Sequence, residues 1–344
     1  MNVLALNCGS SSVKFRLLAV DPGADVTQAR ALAGGLVDRL GPAADLRFEA
    51  DGRSEHAKEA VADHAEAVDR LLRWLAASAA PIDAVGHRVV HGGARFVDPT
   101  PIDDTVLREV EGLESLAPLH NRPSLAGVRA CRSALRTVPM VAVFDTAFHA
   151  RLPEQAAHYA IPWDLARRHG IRRFGFHGIS YAWATARAAA LLARAPEQAW
   201  LVVLHLGSGC SAAAIQGGVS VDTSMGFTPL EGLVMGTRSG DLDPALPGFL
   251  ARAEGVDVAE VEAWLNQRSG LLGLAGGSGD VRDLLARTPG PRRLLPPRPQ
   301  ISRRLPGGAG GRRRGRVHRR HGGPLAGRPC PHRPGIRVVR PRAR

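Results

Sequence analysis

The chain has 344 residues, enough for two domains and a large buried core, with 44% hydrophobic residues and a formal net charge of +13. It contains no run of eighteen or more apolar residues, which excludes a membrane-spanning helix. Its four cysteines, Cys8, Cys131, Cys210 and Cys330, lack the paired spacing of a zinc or redox site, so a cytoplasmic protein with reduced thiols is expected.

The charge is unevenly placed. From Arg287 to the end there are 18 arginines, no lysine and no acid, which leaves 27 basic against 32 acidic residues in 1–286. The body is mildly acidic and only the tail is basic, so the net charge says nothing about a nucleic-acid partner for the body.

Met1 to Leu6 is apolar but has no basic leader, and the polar stretch Asn7 to Ser12 interrupts it too early for a signal peptide. Residues 3–7 and 12–18 read as two strands joined by Gly9-Ser10-Ser11, a hairpin with a small polar turn. Its amides and the hydroxyls of Ser10 and Ser12 can cradle a phosphate, with Lys14 adding charge. Such turns are also common in purely structural hairpins. Residues 56–77 place Val61, Ala65, Val68, Leu72 and Leu75 at helical spacing. Ile82 to Val90 reads as a turn into a buried strand, with His87, Arg88 and His91 at its end, where α/β folds usually hold ligand residues. A helix pattern follows at Val106, Leu107, Val110, Leu113 and Leu116. P-L-H-N-R-P-S reads as a loop, with Ser124 as N-cap of the next helix.

Met140 to Phe144 is a short apolar strand ending in Asp145, an acid that either points into a cleft or caps a turn. In R-R-F-G-F-H-G-I-S-Y, His177 lies between aromatics and glycines, and Ser180 caps an alanine-rich helix through Leu192. Trp200 to Leu206 and Cys210 to Ile215 repeat the opening device, strand, Gly207-Ser208-Gly209 turn, strand. Two such halves suggest a duplicated α/β fold around a nucleotide. Ser220 to Pro244 is too rich in turn residues for a long helix or strand. It carries Asp222, Glu231, Asp241 and Asp243, with Arg238 between Thr237 and Ser239. A guanidinium fork in such a loop matches phosphate oxygens two at a time, although a solvated arginine is the plain alternative. A helix is expected around Val258 to Leu265, and then another glycine-rich turn with Asp280 and Arg282.

Eight segments in order, N-C-G-S-S-S-V-K, H-R-V-V-H-G-G, P-L-H-N, V-F-D-T-A-F-H, R-F-G-F-H-G-I-S, H-L-G-S-G, the stretch from Asp222 to Pro244, and S-G-D-V-R, resemble the acetate kinase pattern over residues 1 to about 285. The resemblance implies an α/β, duplicated ribonuclease-H-like (actin/Hsp70-type) two-domain fold. The domains would span 1–150 and 151–286, the second incomplete, with a disordered basic tail at 287–344. It implies interconversion of ATP plus acetate with ADP plus acetyl phosphate, magnesium as cofactor, and a cytoplasmic homodimer if the second domain folds.

At the matching positions the resemblance assigns Asn7 to the magnesium and phosphate site, Ser10 and Ser12 to the phosphate loop, and Lys14 to ATP. Arg88 would hold the acetate carboxylate. Asp145, His177 and Arg238 would be catalytic. His205, Leu206, Gly207, Ser208 and Gly209 would line the ATP phosphates, and Asp280, Val281 and Arg282 would lie near the nucleoside. An acetate nucleophile is already ionised at neutral pH, so Asp145 reads as an organiser of magnesium, water or arginine, not as a strong base.

The sequence departs from the pattern at Ser208, where asparagine is usual, and at Gly279, where serine is usual. After about Leu285 the resemblance stops: 11 of the chain's 25 prolines lie in 287–344 and no hydrophobic periodicity survives. A reading-frame shift near residues 284–290 in a GC-rich gene accounts for such a composition, and the other downstream frames should then encode G-G-I-G-E-N. The replaced portion would supply the adenosine loop, a magnesium glutamate and much of the dimer interface, so a poorly stable chain of weak or no activity is expected. Propionate and butyrate are alternative acceptors. Nucleic-acid binding through R-R-R-G-R-V-H-R-R is the weaker alternative, because the tail has no aromatics for base stacking.

Overall fold

The computed structural model describes residues 1–23, 29–78, 80–114, 118–287 and 335–339. They divide into two compact units, Met1–Ala150 with Phe174–Ile179, and Arg151–Arg173 with the described residues from Ser180 onward. Among the described residues no helix is long and apolar enough to cross a membrane.

The first unit is built on an eight-stranded sheet. Its elements are β1 (Asn2–Cys8), β2 (Ser12–Ala19), β3 (Arg30–Asp38), β4 (Gly41–Ala50), β5 (Arg53–Val61), α1 (His64–Ser78), β6 (Ala84–Val89), β7 (Thr100–Pro101), α2 (Asp104–Gly112), α3 (Pro118–Ala134) and β8 (Met140–Phe144). The sheet order is β5-β4-β3-β2-β1-β6-β8-β7, with β6 parallel to both β1 and β8 and the other pairs antiparallel. The inward residues of β1 and β2 alternate with outward ones, so Leu4, Leu6, Val13, Phe15 and Leu17 are buried. They join the apolar face of α1, Val68, Leu71, Leu72 and Leu75, in one core, where the Phe15, Phe48 and Trp74 rings meet edge-on or tilted. A second cluster packs β6 and β8 against α2 and α3, with the Phe96 and Phe144 rings stacked 4.9 Å apart.

Two stretches differ from the sequence reading. Residues 56–61 belong to strand β5, and the helix starts only at His64. R-S-E-H-A-K-E-A-V pairs with β4 along its length as an edge strand and is mostly exposed, so the helical spacing that begins at Val61 picks up the last residue of a strand. The proline-flanked stretch read as a loop is the first half of α3, and Ser124 lies buried inside the helix instead of capping it. Pro123 stands in the second turn, where its missing N–H forfeits a single helical bond. Leu116 lies outside the described residues.

The second unit contains α4 (Glu154–Ala157), α5 (Trp163–His169), most of α6 (Gly178–Leu191), β9 (Trp200–Leu206), β10 (Cys210–Gln216), β11 (Val219–Thr223), α7 (Leu246–Glu254), α8 (Val258–Gln267), α9 (Gly270–Ala275), α10 (Val281–Arg287) and β12 (Gly335–Val339). Helix α6 begins at Gly178, so Ser180 falls in its first turn. The four-stranded sheet runs β11-β10-β9-β12, all antiparallel. Strand β12 departs from the expectation of a tail without order: G-I-R-V-V is a β-branched pentapeptide that pairs with the outer edge of β9. The rest of the tail beyond Arg287 lies outside the described residues.

Candidate functional site

In the first unit the parallel strands bring three polar residues to their C-terminal ends. Asn7 is the penultimate residue of β1, Arg88 stands near the end of β6, and Asp145 follows β8 directly. The Arg88 Nε lies 3.2 and 3.1 Å from the two Asp145 oxygens, its Nη2 donates to Oδ2 at 2.5 Å, and its Nη1 donates to Asn7 Oδ1 at 2.9 Å. The Asp145 side chain is 3% exposed and that of Arg88 30%. Burial opposes the Arg88 charge, but the Asp145 charge and hydrogen bonds more than offset it and hold the guanidinium above its ordinary range. The other Nη hydrogens have no partner among the described residues, so this half-exposed fork can take an incoming carboxylate.

Lys14 pairs in register with Asn7 across the β1–β2 hairpin, which puts both on one face of the sheet. The turn between them is pinned twice: Gly9 N–H donates to the Ser12 carbonyl at 2.8 Å, and the His64 Nε2 stands 2.6 Å from the Gly9 carbonyl. Ser10 is exposed and Ser12 half-buried there. His177 adopts the left-handed φ of +60°, rare for a residue with a side chain. Next to it the Gly178 N–H donates to the Asp145 carbonyl at 2.8 Å, and a Cβ at Gly178 would come within 2.2 Å of that oxygen. The strained turn therefore sits on the backbone of Asp145. Three histidines of this unit are buried: His87 and His91, which the sequence reading placed at the strand end among possible ligand residues, and His149, which it did not single out. His149 Nε2 lies 3.1 Å from the Phe176 carbonyl, and His91 packs edge-on against Phe174 and Phe176. His91 Nδ1 accepts from the Gly93 N–H at 2.9 Å. Among the described residues, its Nε2 and that of His87 have no partner. Burial pushes all three down to about 4.

In the second unit three glycine-rich segments converge. Gly236 N–H donates to the Ser208 carbonyl at 2.9 Å, and a Cβ at Gly279 would stand 2.4 Å from the Gly236 carbonyl. Only glycine permits that approach, so Gly207–Gly209, Gly236 and Gly279 form one backbone surface. At its margin His205 Nδ1 lies 2.9 Å from Ser180 Oγ, and Leu206 is 41% exposed. Burial raises the Cys210 thiol, and the hydrogen bond with the Gly207 carbonyl and, after it, the Arg238 charge work against that. Asp280 opens α10: its carboxylate accepts from the Arg282 N–H at 2.8 Å and pairs with the Arg282 side chain, which holds the acid at about 2. Val281, between them, is exposed.

These two constellations occur in a chain whose residues 2–291 match the model of the acetokinase family. The chain belongs to the acetokinase family. It is 49% identical over 293 residues to an acetate kinase of Streptomyces avermitilis, an alignment that covers 83% of this chain and 71% of that one. Among solved structures, an acetate kinase of Porphyromonas gingivalis is similar with a TM-score of 0.73 and 41% identity, covering 82% of this chain and 72% of that one. A propionate kinase of Francisella tularensis gives 0.74 and 39% with the same coverage. The α/β fold of this chain is therefore that of an acetokinase.

His64, which the sequence reading did not single out, reaches the Gly9 carbonyl from 55 residues away, a pairing that only the fold reveals.

Proposed function

We propose that the chain carries out the reversible transfer of the γ-phosphoryl group of ATP to acetate, giving acetyl phosphate and ADP. The observation that carries this reading is the Arg88 fork, set by Asp145 and Asn7 at the ends of β1, β6 and β8 with N–H hydrogens left for a carboxylate. An acetate oxygen attacks the γ-phosphorus, the bond from that phosphorus to the β-γ bridging oxygen breaks, and ADP leaves. No proton has to be removed from acetate. Catalysis is then positioning and charge stabilisation, in keeping with a site made of arginines, amides and glycines instead of a tuned base. Arg88 would hold the carboxylate and Asp145 would hold Arg88. His177 and Arg238 would meet the charge that develops on the phosphoryl oxygens. Ser10, Ser12, Lys14 and the His205–Gly209 segment would receive the ATP phosphates, with Asp280, Val281 and Arg282 at the nucleoside.

Magnesium would enter on the nucleotide, whose phosphates supply the oxygen ligands it prefers. Among the described residues no group of three or more His, Cys, Asp or Glu side chains could hold a metal, and Arg88 engages both Asn7 Oδ1 and the Asp145 carboxylate. These residues do not form a magnesium site by themselves, and no step here is routed through the ion. A cytoplasmic homodimer belongs to the same proposal.

The likeness to a propionate kinase favours a second reading, a kinase for another short carboxylate. The family match ends at residue 291, which favours a third, a chain that keeps the phosphate and carboxylate loops but turns over weakly or not at all. A hydroxamate assay of the purified full chain with ATP and acetate, propionate or butyrate separates them. Acetyl hydroxamate above the longer products supports the first reading, a longer product above it the second, and no product the third.

A further inference from the structure

The loop that carries Arg238 is held at its foot by a charged cluster that the reaction itself does not use. We propose that Glu231, clamped between Tyr159 and Arg173, is a positioning residue that sets the Arg238 guanidinium. This rests on the reading that Arg238 contacts the migrating phosphoryl group.

Arg173 follows α5 and is 11% exposed. Its Nη2 donates to Glu231 Oε1 at 2.8 Å, its Nη1 to the carbonyls of Thr223 and Met225 at 3.3 and 3.1 Å, and its Nε to the Ala156 carbonyl at 3.2 Å. One guanidinium thus ties the end of β11 and the end of α4 to Glu231. The second Glu231 oxygen accepts from Tyr159 Oη at 2.5 Å, while that hydroxyl accepts from the Phe227 N–H at 2.7 Å. Burial first, and the hydrogen bond to Glu231 second, raise the Tyr159 phenol above its ordinary range, so it stays a donor. The cluster closes against Gly226, where a Cβ would stand 1.7 Å from Glu231 Oε2. A side chain there would have to push aside the ends of Glu231 and Tyr159, so glycine at 226 leaves room for the clamp.

The link to Arg238 is short. Pro229 lies two residues before Glu231, and its carbonyl accepts from Arg238 Nη1 at 2.6 Å. On the other side of Glu231, Gly232 N–H donates to Asp241 Oδ1 and the Asp241 N–H returns to the Gly232 carbonyl, both at 2.9 Å. The turn from Gly232 to Asp241 is clasped at its base, and the tip of Arg238 is bonded to a carbonyl on the anchored segment. A long side chain ordered before substrate arrives needs no ordering in the transition state, so the clamp acts on turnover more than on binding.

The test uses the full chain and the variants Glu231→Gln, Tyr159→Phe and Arg238→Ala, each read by kcat and KM for acetate, by melting temperature, and by the rate of tryptic cleavage after Arg238. Glu231→Gln keeps the shape and removes the charge. Tenfold or greater loss of kcat, an acetate KM within twofold and several-fold faster cleavage after Arg238 are expected, together with a lower melting temperature because Arg173 loses its counter-charge. A severalfold loss of kcat is expected for Tyr159→Phe. A purely structural role would instead lower the melting temperature while kcat and cleavage, read well below it, stay parental. Parental kcat and cleavage rate in Glu231→Gln would overturn the proposal while leaving the Arg238 reading intact. An unchanged kcat in Arg238→Ala would overturn that reading itself. Cleavage reports the clamp even if turnover is nil, and a parental rate then overturns it.

Discussion

Arg88 and Asp145 form an unequal pair: the carboxylate is almost completely enclosed, whereas the guanidinium that holds it still reaches water. Removing either partner leaves the other uncompensated, but the enclosed one suffers more. Loss of a partner in a fully buried pair costs about 3–5 kcal/mol, and the Arg88 exposure reduces that figure. Arg88→Ala should therefore destabilise the fold by about 2–3 kcal/mol and Asp145→Ala by about 1–2 kcal/mol. The double variant should recover part of the loss, which urea unfolding of the three proteins measures. In turnover assays Arg88→Ala should raise the acetate KM, and an unaltered KM would remove Arg88 from the carboxylate site.

Acid should unfold this protein through its buried histidines. His87, His91 and His149 are each held near 4 by burial, below the ordinary 6.5, so the native state refuses protons that the unfolded chain accepts. For a group whose folded value is depressed, stability is complete above the unfolded value and is lost as pH falls from there toward the folded value. The window is roughly pH 6.5 to 4, and each histidine withdraws on the order of 1.4 kcal/mol per pH unit within it. Denaturant midpoints at pH 7, 6 and 5 should fall progressively, with proton uptake on unfolding at pH 5. A flat profile would mean that these rings are not buried neutral.

Strands and ends of strands were legible in the sequence where they are apolar runs. Met140 to Phe144 is β8, and Trp200 to Leu206 is β9. Arg88 and Asp145 were legible as residues at the end of such a run, whereas Asn7 was singled out only by the family resemblance. The meander of β3, β4 and β5 was not legible: Gly34-Gly35 interrupts β3, and β5 carries polar residues on both faces, so the alternation of β4 stands between two strands without a clear pattern. Gly35 is required there because a Cβ would strike the Phe15 and Phe48 rings, a cross-strand fact with no local trace. Similarly, Glu231 meets Arg173 from 58 residues away and Tyr159 from 72, so spacing alone cannot join them. Proline misled at α3, since Pro118 and Pro123 read as loop residues although both fall within two turns of a helix start.

The two cysteines of the first unit should behave as core residues. Cys8 and Cys131 are buried, and burial raises both thiols to about 12. Folding therefore protects them below the unfolded value of 9, and stability is lost as pH rises from there toward 12. Native protein should show neither thiol to a disulfide reagent at pH 8, and urea should expose both. Space around Cys8 is also full, because a Cβ at Gly127 would lie 2.4 Å from its sulfur. Gly127→Ala should cost about 1–3 kcal/mol by overpacking, and Cys8→Ala in the same chain should relieve part of it. Additive losses in that double variant would show that the two positions do not press on each other.

Nucleic-acid binding, the weaker reading of the basic tail, is separable from the tail's pairing with β9. The tail's 18 arginines can neutralise nucleic-acid phosphates without reading bases, since no aromatic residue stands among them to stack. Its described pentapeptide, Gly335–Val339, covers the edge of β9. Deleting residues 288–344 should abolish retention of arbitrary DNA on a filter and, in uncovering that edge, raise aggregation. Replacing Arg312, Arg313 and Arg314 by glutamine in the full chain separates the two. Binding should weaken and its salt slope should fall by roughly 0.9 for each phosphate no longer neutralised, while aggregation stays as in the parent. DNA retention that survives both changes would place the binding surface on the acidic body, against its charge.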